Sequence, residues 1–271
     1  MMIVYKYMSH KAAISFIENP MLRVTPSWAL NDPFECKLSN STCVKLNSID
    51  DHTERSLAVE NLMKLHGIVS LTESPDNLLM WSHYAEEHKG AVVEFVIDEA
   101  DPFDLFISRG YRRFSDAKFS KVNYRKRRNY PFSVDADSFV PIRNHYYLTK
   151  SDEWIYEREQ RFIIPVNELS HVKKTDGKMT FTDLIHFEEL ANAWKCSHET
   201  GDMFFIPINS KKIGRIIIGY NAELDVYKEA MSKSHDPYRS YIHPLEDEFI
   251  GVEVARLHPE RFELSFEPLK K

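Results

Sequence analysis

A chain of 271 residues with 43% hydrophobic and 28% charged residues has the composition of a globular protein that can bury a sizeable core. Its cysteines, Cys36, Cys43 and Cys196, are odd in number and lack the C-x-x-C spacing of zinc or redox sites, so reduced thiols are expected rather than disulfides. A net charge of -6 excludes a surface coated throughout with phosphate-binding groups; no apolar run approaches the roughly 18 residues of a membrane span, MMIVYKYMSH is unlike a signal peptide, and a cytoplasmic location is expected.

MIVYKYM reads as a first strand. Ser9 is placed to cap a helix over HKAAISFIEN, whose Ala12, Ala13, Phe16 and Ile17 form a stripe ending at Asn19-Pro20. MLRVTP is a short strand, and LNDPFE holds the turn signal Asn31-Asp32-Pro33. A helix is expected over residues 53–66. GIVSLTE alternates Ile68, Ser70 and Thr72 with Val69 and Leu71, a strand period. Ser74-Pro75 then supplies a cap and first-turn proline for a helix with Leu78, Trp81 and Ala85 on one face; Gly90 ends it, and GAVVEFVID is the return strand. Further strands are expected at RFIIPV, RIIIGY, FIGVEVARL and RFELSFE, and helices near 182–195 and 223–232. Without linkers, low-complexity tracts or repeats, residues 1–271 read as a single α+β domain.

His83, Glu86, Glu87 and His88 carry metal-ligand chemistry, but the two histidines are five residues apart where H-E-x-x-H needs four, so a solvated helix face is the expectation and no metal is assigned. The eight glycines form no P-loop and no G-x-G-x-x-G turn, and no G-x-S-x-G elbow is present. Residues 109–132, RGYRRFSDAKFSKVNYRKRRNYPF, hold nine Lys and Arg against the single acid Asp116, interleaved with aromatics. Such an insertion suits a polyanion, with Arg112, Arg113, Lys121, Arg125, Lys126, Arg127 and Arg128 as candidate nucleic-acid contacts; a basic surface hairpin or a docking face for an acidic protein are the alternatives. In WIYEREQRFIIPV, strand geometry would put Glu157, Glu159 and Arg161 on one face, either as paired charges of an exposed edge strand or as a carboxylate pair anchored by the apolar FIIPV.

Together, VYKYMS, LRVTPSWALNDPFE, SLTESPDNLLMWSHYAEEHKGAVVEF, WIYEREQRFIIP and IGRIIIGYN resemble an uncharacterised bacterial domain-of-unknown-function family (2971) across nearly the whole chain. The order of IVYKYMS, IVSLTES and YEREQRFIIP is also similar, more distantly, to ADP-ribosyltransferases of the type that modifies DNA or RNA. That resemblance implies a split mixed β-sheet around a NAD cleft with flanking helices, the basic stretch 109–132 being an insertion. It implies NAD as substrate, without a metal. Glu159 would stand beside the developing oxocarbenium charge, and Glu157 would orient or deprotonate the acceptor. Lys6 would meet phosphate or ribose, Ser70 and Thr72 the nicotinamide ribose, and Trp81 or Tyr84 would stack on nicotinamide, with Arg23 and Asn31 reaching the same cleft. The functional expectation is a NAD-dependent ADP-ribosyltransferase acting on a macromolecule, nucleic acid favoured, in a toxin or phage-defence role with a neutralising antitoxin partner. From another class, the alternative is a non-catalytic nucleic-acid or nucleotide-binding module.

Overall fold

The computed structural model describes residues 1–49, 55–107, 114, 116–132, 139–174, 176–181, 202–234 and 248–270. The chain begins with β1 (Met2–Met8), α1 (His10–Glu18), β2 (Met21–Pro26), α2 (Asn40–Ile49), α3 (Arg55–Met63), β3 (His66–Thr72), α4 (Leu78–Tyr84) and β4 (Ala91–Ile97). It continues through β5 (Lys118–Lys121), β6 (Asn123–Tyr124), α5 (Phe139–Tyr147), β7 (Thr149–Lys150), β8 (Glu159–Pro165), β9 (His171–Lys173) and β10 (Met179–Phe181). It closes with β11 (Met203–Pro207), β12 (Ile213–Ile218), α6 (Leu224–Lys233), β13 (Glu248–Leu257) and β14 (Leu264–Lys270). The helix expected near 182–195 lies outside the described residues.

Twelve of these strands form one mixed sheet, antiparallel except for the parallel pair β12 and β13. Its organising strand is β3. One edge of β3 pairs along its whole length with β8, from His66 opposite Pro165 to Thr72 opposite Glu159. The other edge is shared: Thr72 faces Tyr5 of β1, while Gly67 and Ile68 face Pro26 and Thr25 of β2. The sheet therefore divides at β3 into a branch β1-β4-β12-β13-β14 and a branch β2-β11-β9-β10.

Apolar alternation accounts for the layers. Val4, Val93, Phe95, Phe162 and Ile216 pack against Ala13, Phe16 and Ile17 of α1 and Tyr227, Ala230 and Met231 of α6. The intervening residues Tyr5, Tyr7, Val92 and Ile217 meet Met80, Trp81 and Ala85 around α4. On β3 and β8, Ile68 and Ile163 pack with Leu46, Val59, Ile142, Tyr146 and Tyr147 of α2, α3 and α5. That face continues along the register into Ser70 opposite Arg161 and Thr72 opposite Glu159.

Several local expectations need correction. Ser9 precedes α1 but makes no side-chain cap; the amide of His10 is satisfied by Glu86 Oε2 at 2.9 Å. Asn77, not Ser74, caps α4, its Oδ1 accepting the Leu79 and Met80 amides at 3.0 and 3.1 Å. The helix expected over 53–66 is shorter, because His66 already starts β3, and α2 ahead of it escaped the periodicity. The last strand starts at Leu264, so the Arg261 and Phe262 assigned to it precede it. β8 is no edge strand: it lies between β3 and β5 with all seven residues buried. Glu157 stands outside it, at the end of a 3-10 turn from Asp152 to Glu157, and Arg158 at φ +45° turns the chain into the strand. Among its described residues, 114 and 116–132, the basic stretch forms no hairpin: β5 adds to β8 and β6 runs parallel to β7.

Gly90 does not end α4, which closes at Tyr84 before Glu86, Glu87 and His88 with φ of +50°, +53° and +66°. Its role is a close approach: a Cβ at Gly90 would lie 1.9 Å from the Met8 carbonyl oxygen. Because the obstacle is backbone between paired strands, Gly90→Ala is expected to lower stability by about 1–3 kcal/mol. Urea unfolding reads this as a lower midpoint; an unchanged midpoint contradicts the contact.

Candidate active site at the sheet split

Where the two branches part from β3, a cavity of about 310 Å³ is lined by residues from β1, β2, β3, β7, β8, the end of α4 and the loop after β2. Lys6, Arg23, Asn31, Ser70, Thr72, Tyr84, Glu157 and Glu159, scattered over more than 150 residues, all reach it. Trp81 does not: it is fully buried, edge-on to Tyr7 and stacked on His88 with centroids 5.7 Å apart, so its indole packs the core and cannot stack on a ligand in this cavity. Three further charged residues line the wall, Glu35, Lys150 and Arg161.

The charges form one network. Arg161, 1% exposed, donates through Nε and Nη2 to Glu159 Oε2 at 3.0 and 2.5 Å, through Nη2 to Glu35 Oε1 at 2.7 Å and through Nη1 to the Tyr147 carbonyl at 2.8 Å. Lys150 Nζ lies 2.5 Å from Glu157 Oε2, 3.2 Å from Glu35 Oε1 and 3.7 Å from Glu159 Oε2. Glu157 Oε1 accepts the Tyr84 hydroxyl at 2.5 Å, and Asn31 Nδ2 donates to that hydroxyl at 3.3 Å. Thr72, which lines the cavity, donates its hydroxyl to the Glu157 carbonyl at 2.6 Å and so also positions the Glu157 backbone. The Glu159 amide donates to the Tyr124 hydroxyl at 2.8 Å.

The two carboxylates are separated electrostatically. Burial pushes Glu159 up, but the Arg161 and Lys150 charges and the Ser70 hydroxyl outweigh it and hold the group ionised, down at about 2. For Glu157 burial prevails: helped by the Glu159 charge, it raises the carboxyl despite Lys150 and Tyr84. The two carboxyls are thus shifted in opposite directions, Glu159 down and Glu157 up. On the opposite wall, Lys6 Nζ donates to the Ser70 carbonyl at 2.8 Å and burial lowers its ammonium to about 8. Arg23 Nε is buried without a hydrogen-bond partner, and burial lowers this guanidinium also. Among the described residues neither cation has a carboxylate within 4.0 Å. Both cations line the cavity without a direct ion pair to a described carboxylate, although the Glu159 and Glu157 charges act on Lys6 at longer range.

Of the basic candidates, Arg125, Lys126 and Arg128 line a neighbouring groove, Lys121 pairs with Glu73 at 2.7 Å, and Arg127 is exposed and lines neither cavity. Arg112 and Arg113 lie outside the described residues. Among those described, no three His, Cys, Asp or Glu side chains are grouped to hold a metal ion; His83 is exposed and His88 packs on Trp81. No described helix is long and apolar enough to cross a membrane.

Sequence reasoning missed Glu35 and Lys150 as site residues and left Arg161 without a role. Arg161 had a signal, since it falls on the Glu159 face two residues on. Glu35 ends the NDPFE turn, and nothing local marks Lys150, whose place is set by the two-residue strand β7.

Residues 80–162 match the family described as Protein of unknown function (DUF2971). The matched segment holds Tyr84, Lys150, Glu157, Glu159 and Arg161 but not the strands that bring Lys6, Arg23 and Ser70. No curated protein and no solved structure matches the chain.

Proposed function

We propose that this protein is a NAD-dependent ADP-ribosyltransferase that modifies a macromolecule, nucleic acid being the favoured acceptor. The observation that carries this reading is the meeting, in one cavity, of the ionised Glu159, the upward-shifted Glu157 and the two cations Lys6 and Arg23, which have no described carboxylate within 4.0 Å. Cleavage of the nicotinamide glycosidic bond develops positive charge on the ribose, and a fixed carboxylate in a water-poor site stabilises that charge without reorganising. Arg161 and Ser70 keep Glu159 ionised and immobile for that task. Lys6 and Arg23 suit the pyrophosphate as charge-assisted donors. Glu157, set by Tyr84 and Lys150, takes the proton from an acceptor hydroxyl or amine as it attacks. A large mixed sheet that divides at β3 supports the reading, because the ADP-ribosyltransferase resemblance implies a split mixed sheet around the cleft. An enzyme of this kind harms its host, so a toxin or phage-defence role with a neutralising partner follows.

Incubating the full chain with NAD labelled on adenosine, together with RNA, DNA and protein, tests this reading: label is expected to move to one macromolecular class, and label left entirely on NAD contradicts it. A second reading, a non-catalytic nucleotide-binding module, is favoured by one observation: Glu35, Glu157 and Glu159 are all ion-paired already. On that reading NAD is bound and never cleaved.

Lys6 gives the cavity a pH dependence. Only the ammonium attracts an anion, and the ligand-free group titrates at about 8. Affinity for ADP-ribose, whose pyrophosphate does not titrate near this pH, is expected to fall as pH rises through that value, by roughly tenfold per unit once Lys6 is neutral. Calorimetric titration at pH 7 and 9 measures the fall; Lys6→Met should bind more weakly and lose the slope. An equal slope in that variant removes Lys6 from phosphate binding.

A further inference from the structure

The loop Asn31-Asp32-Pro33-Phe34-Glu35 divides two cavities. Asp32, 6% exposed, accepts the Phe34 amide on Oδ1 at 2.8 Å and the Glu35 amide on its carbonyl at 3.3 Å. Those bonds set the two neighbours in opposite directions. Glu35, 4% exposed, turns in to Arg161 and Lys150, whereas Phe34 is left 64% exposed. Phe34 lines the second groove, of about 260 Å³, with Arg125, Lys126, Arg128 and Ser151, and this groove shares Glu35 and Lys150 with the first cavity.

The groove combines a stacking surface with free positive charge. The Arg128 guanidinium lies 5.4 Å from the Phe34 ring centroid and donates to the Phe34 and Lys37 carbonyls at 3.3 and 2.9 Å, which holds both in place. Arg125 and Lys126 are exposed, and neither forms an ion pair with a described carboxylate. In a chain of net charge -6, this local excess is not a general property of the surface.

We propose that this groove docks a single-stranded nucleic acid, with one base stacked on Phe34 and the flanking phosphates on Arg125 and Lys126. Duplex bases present only their edges to a protein, whereas a ring held in a groove needs an exposed base face. An acidic peptide would satisfy the arginines but leaves Phe34 without a purpose. As the acceptor site of the transferase proposed above, the groove would deliver the adjoining nucleotide to the wall formed by Glu35 and Lys150; this placement rests on that reading, while the docking does not.

Anisotropy of a fluorescent twelve-nucleotide single strand, as DNA and as RNA, and of the matching duplex, measured without NAD, tests the docking. Single strands are expected to bind more tightly than duplex. Phe34→Ala should weaken that binding roughly 5- to 150-fold, the equivalent of about 1–3 kcal/mol for one stacked base, and Phe34→Trp should retain it. Neutralising Arg125 and Lys126 together as Gln should reduce the slope of log affinity against log salt by about 1.4. Equal affinity for Phe34→Ala, an unchanged salt slope, preference for duplex, or capture of an acidic peptide indifferent to Phe34 overturns the inference. Absence of nicotinamide release with single-strand binding intact overturns the transferase reading alone.

Discussion

Replacing Arg161 with Met is expected to lower the free energy of unfolding by about 3–5 kcal/mol, because the change leaves buried carboxylates without their cation. The side chain is 1% exposed, and its guanidinium satisfies Glu159, Glu35 and the Tyr147 carbonyl from three parts of the chain. Lys150 is the remaining cation against Glu35 and Glu159, and it already meets Glu157. Urea unfolding of the variant gives the magnitude. Adding Glu35→Gln and Glu159→Gln to Arg161→Met should recover part of the loss, since the uncompensated charges are then gone. A loss below about 1 kcal/mol, as for an exposed ion pair, contradicts the picture of a buried, tightly coupled network.

The second large effect concerns chemistry. Glu159→Gln keeps an oxygen for Arg161 but removes the anion, and nicotinamide release is expected to fall roughly 10²–10³-fold, the size of losing one preorganised electrostatic group. On the proposed role the loss should fall on kcat rather than KM, because the charge Glu159 would stabilise develops only in the transition state. Glu157→Gln should instead impair transfer to the acceptor more than release of nicotinamide. Near-normal release by Glu159→Gln, with the urea midpoint little changed, removes Glu159 from the role.

Much of the framework was legible because its periods are clean. MIVYKYM, MLRVTP, GIVSLTE, GAVVEFVID and RFIIPV are strands that alternate or are buried on both faces, and α1 and α6 carry three-to-four-residue stripes. Ser70 and Thr72 were placed on one face from alternation alone, and the register sets Arg161 and Glu159 directly across from them. What the periodicity could not carry was non-local. Glu157 reaches Lys150 and Tyr84 from a 3-10 turn and not from a strand, so its closeness to Glu159 depends on the left-handed Arg158 rather than on i, i+2 spacing. Lys150 and Glu35 meet only because β7 and the NDPFE loop are brought together by α5 and β8, a tertiary fact without a local motif. Trp81 shows the opposite limit: at a position where helical spacing allows either burial or ligand stacking, Tyr7 and His88 enclose the indole completely. The Ser74-Pro75 signal was outcompeted by Asn77, whose side chain takes two amides while the Pro75 carbonyl accepts the Trp81 indole at 2.8 Å.

Nicotinamide release from NAD by the purified full chain, followed by chromatography with single-stranded nucleic acid present, bears on the proposed activity most directly. Release by wild type that collapses in Glu159→Gln is the expected result. A folded wild-type protein that binds the nucleic acid and leaves NAD intact contradicts the transferase and leaves the charged cavity as a binding site alone.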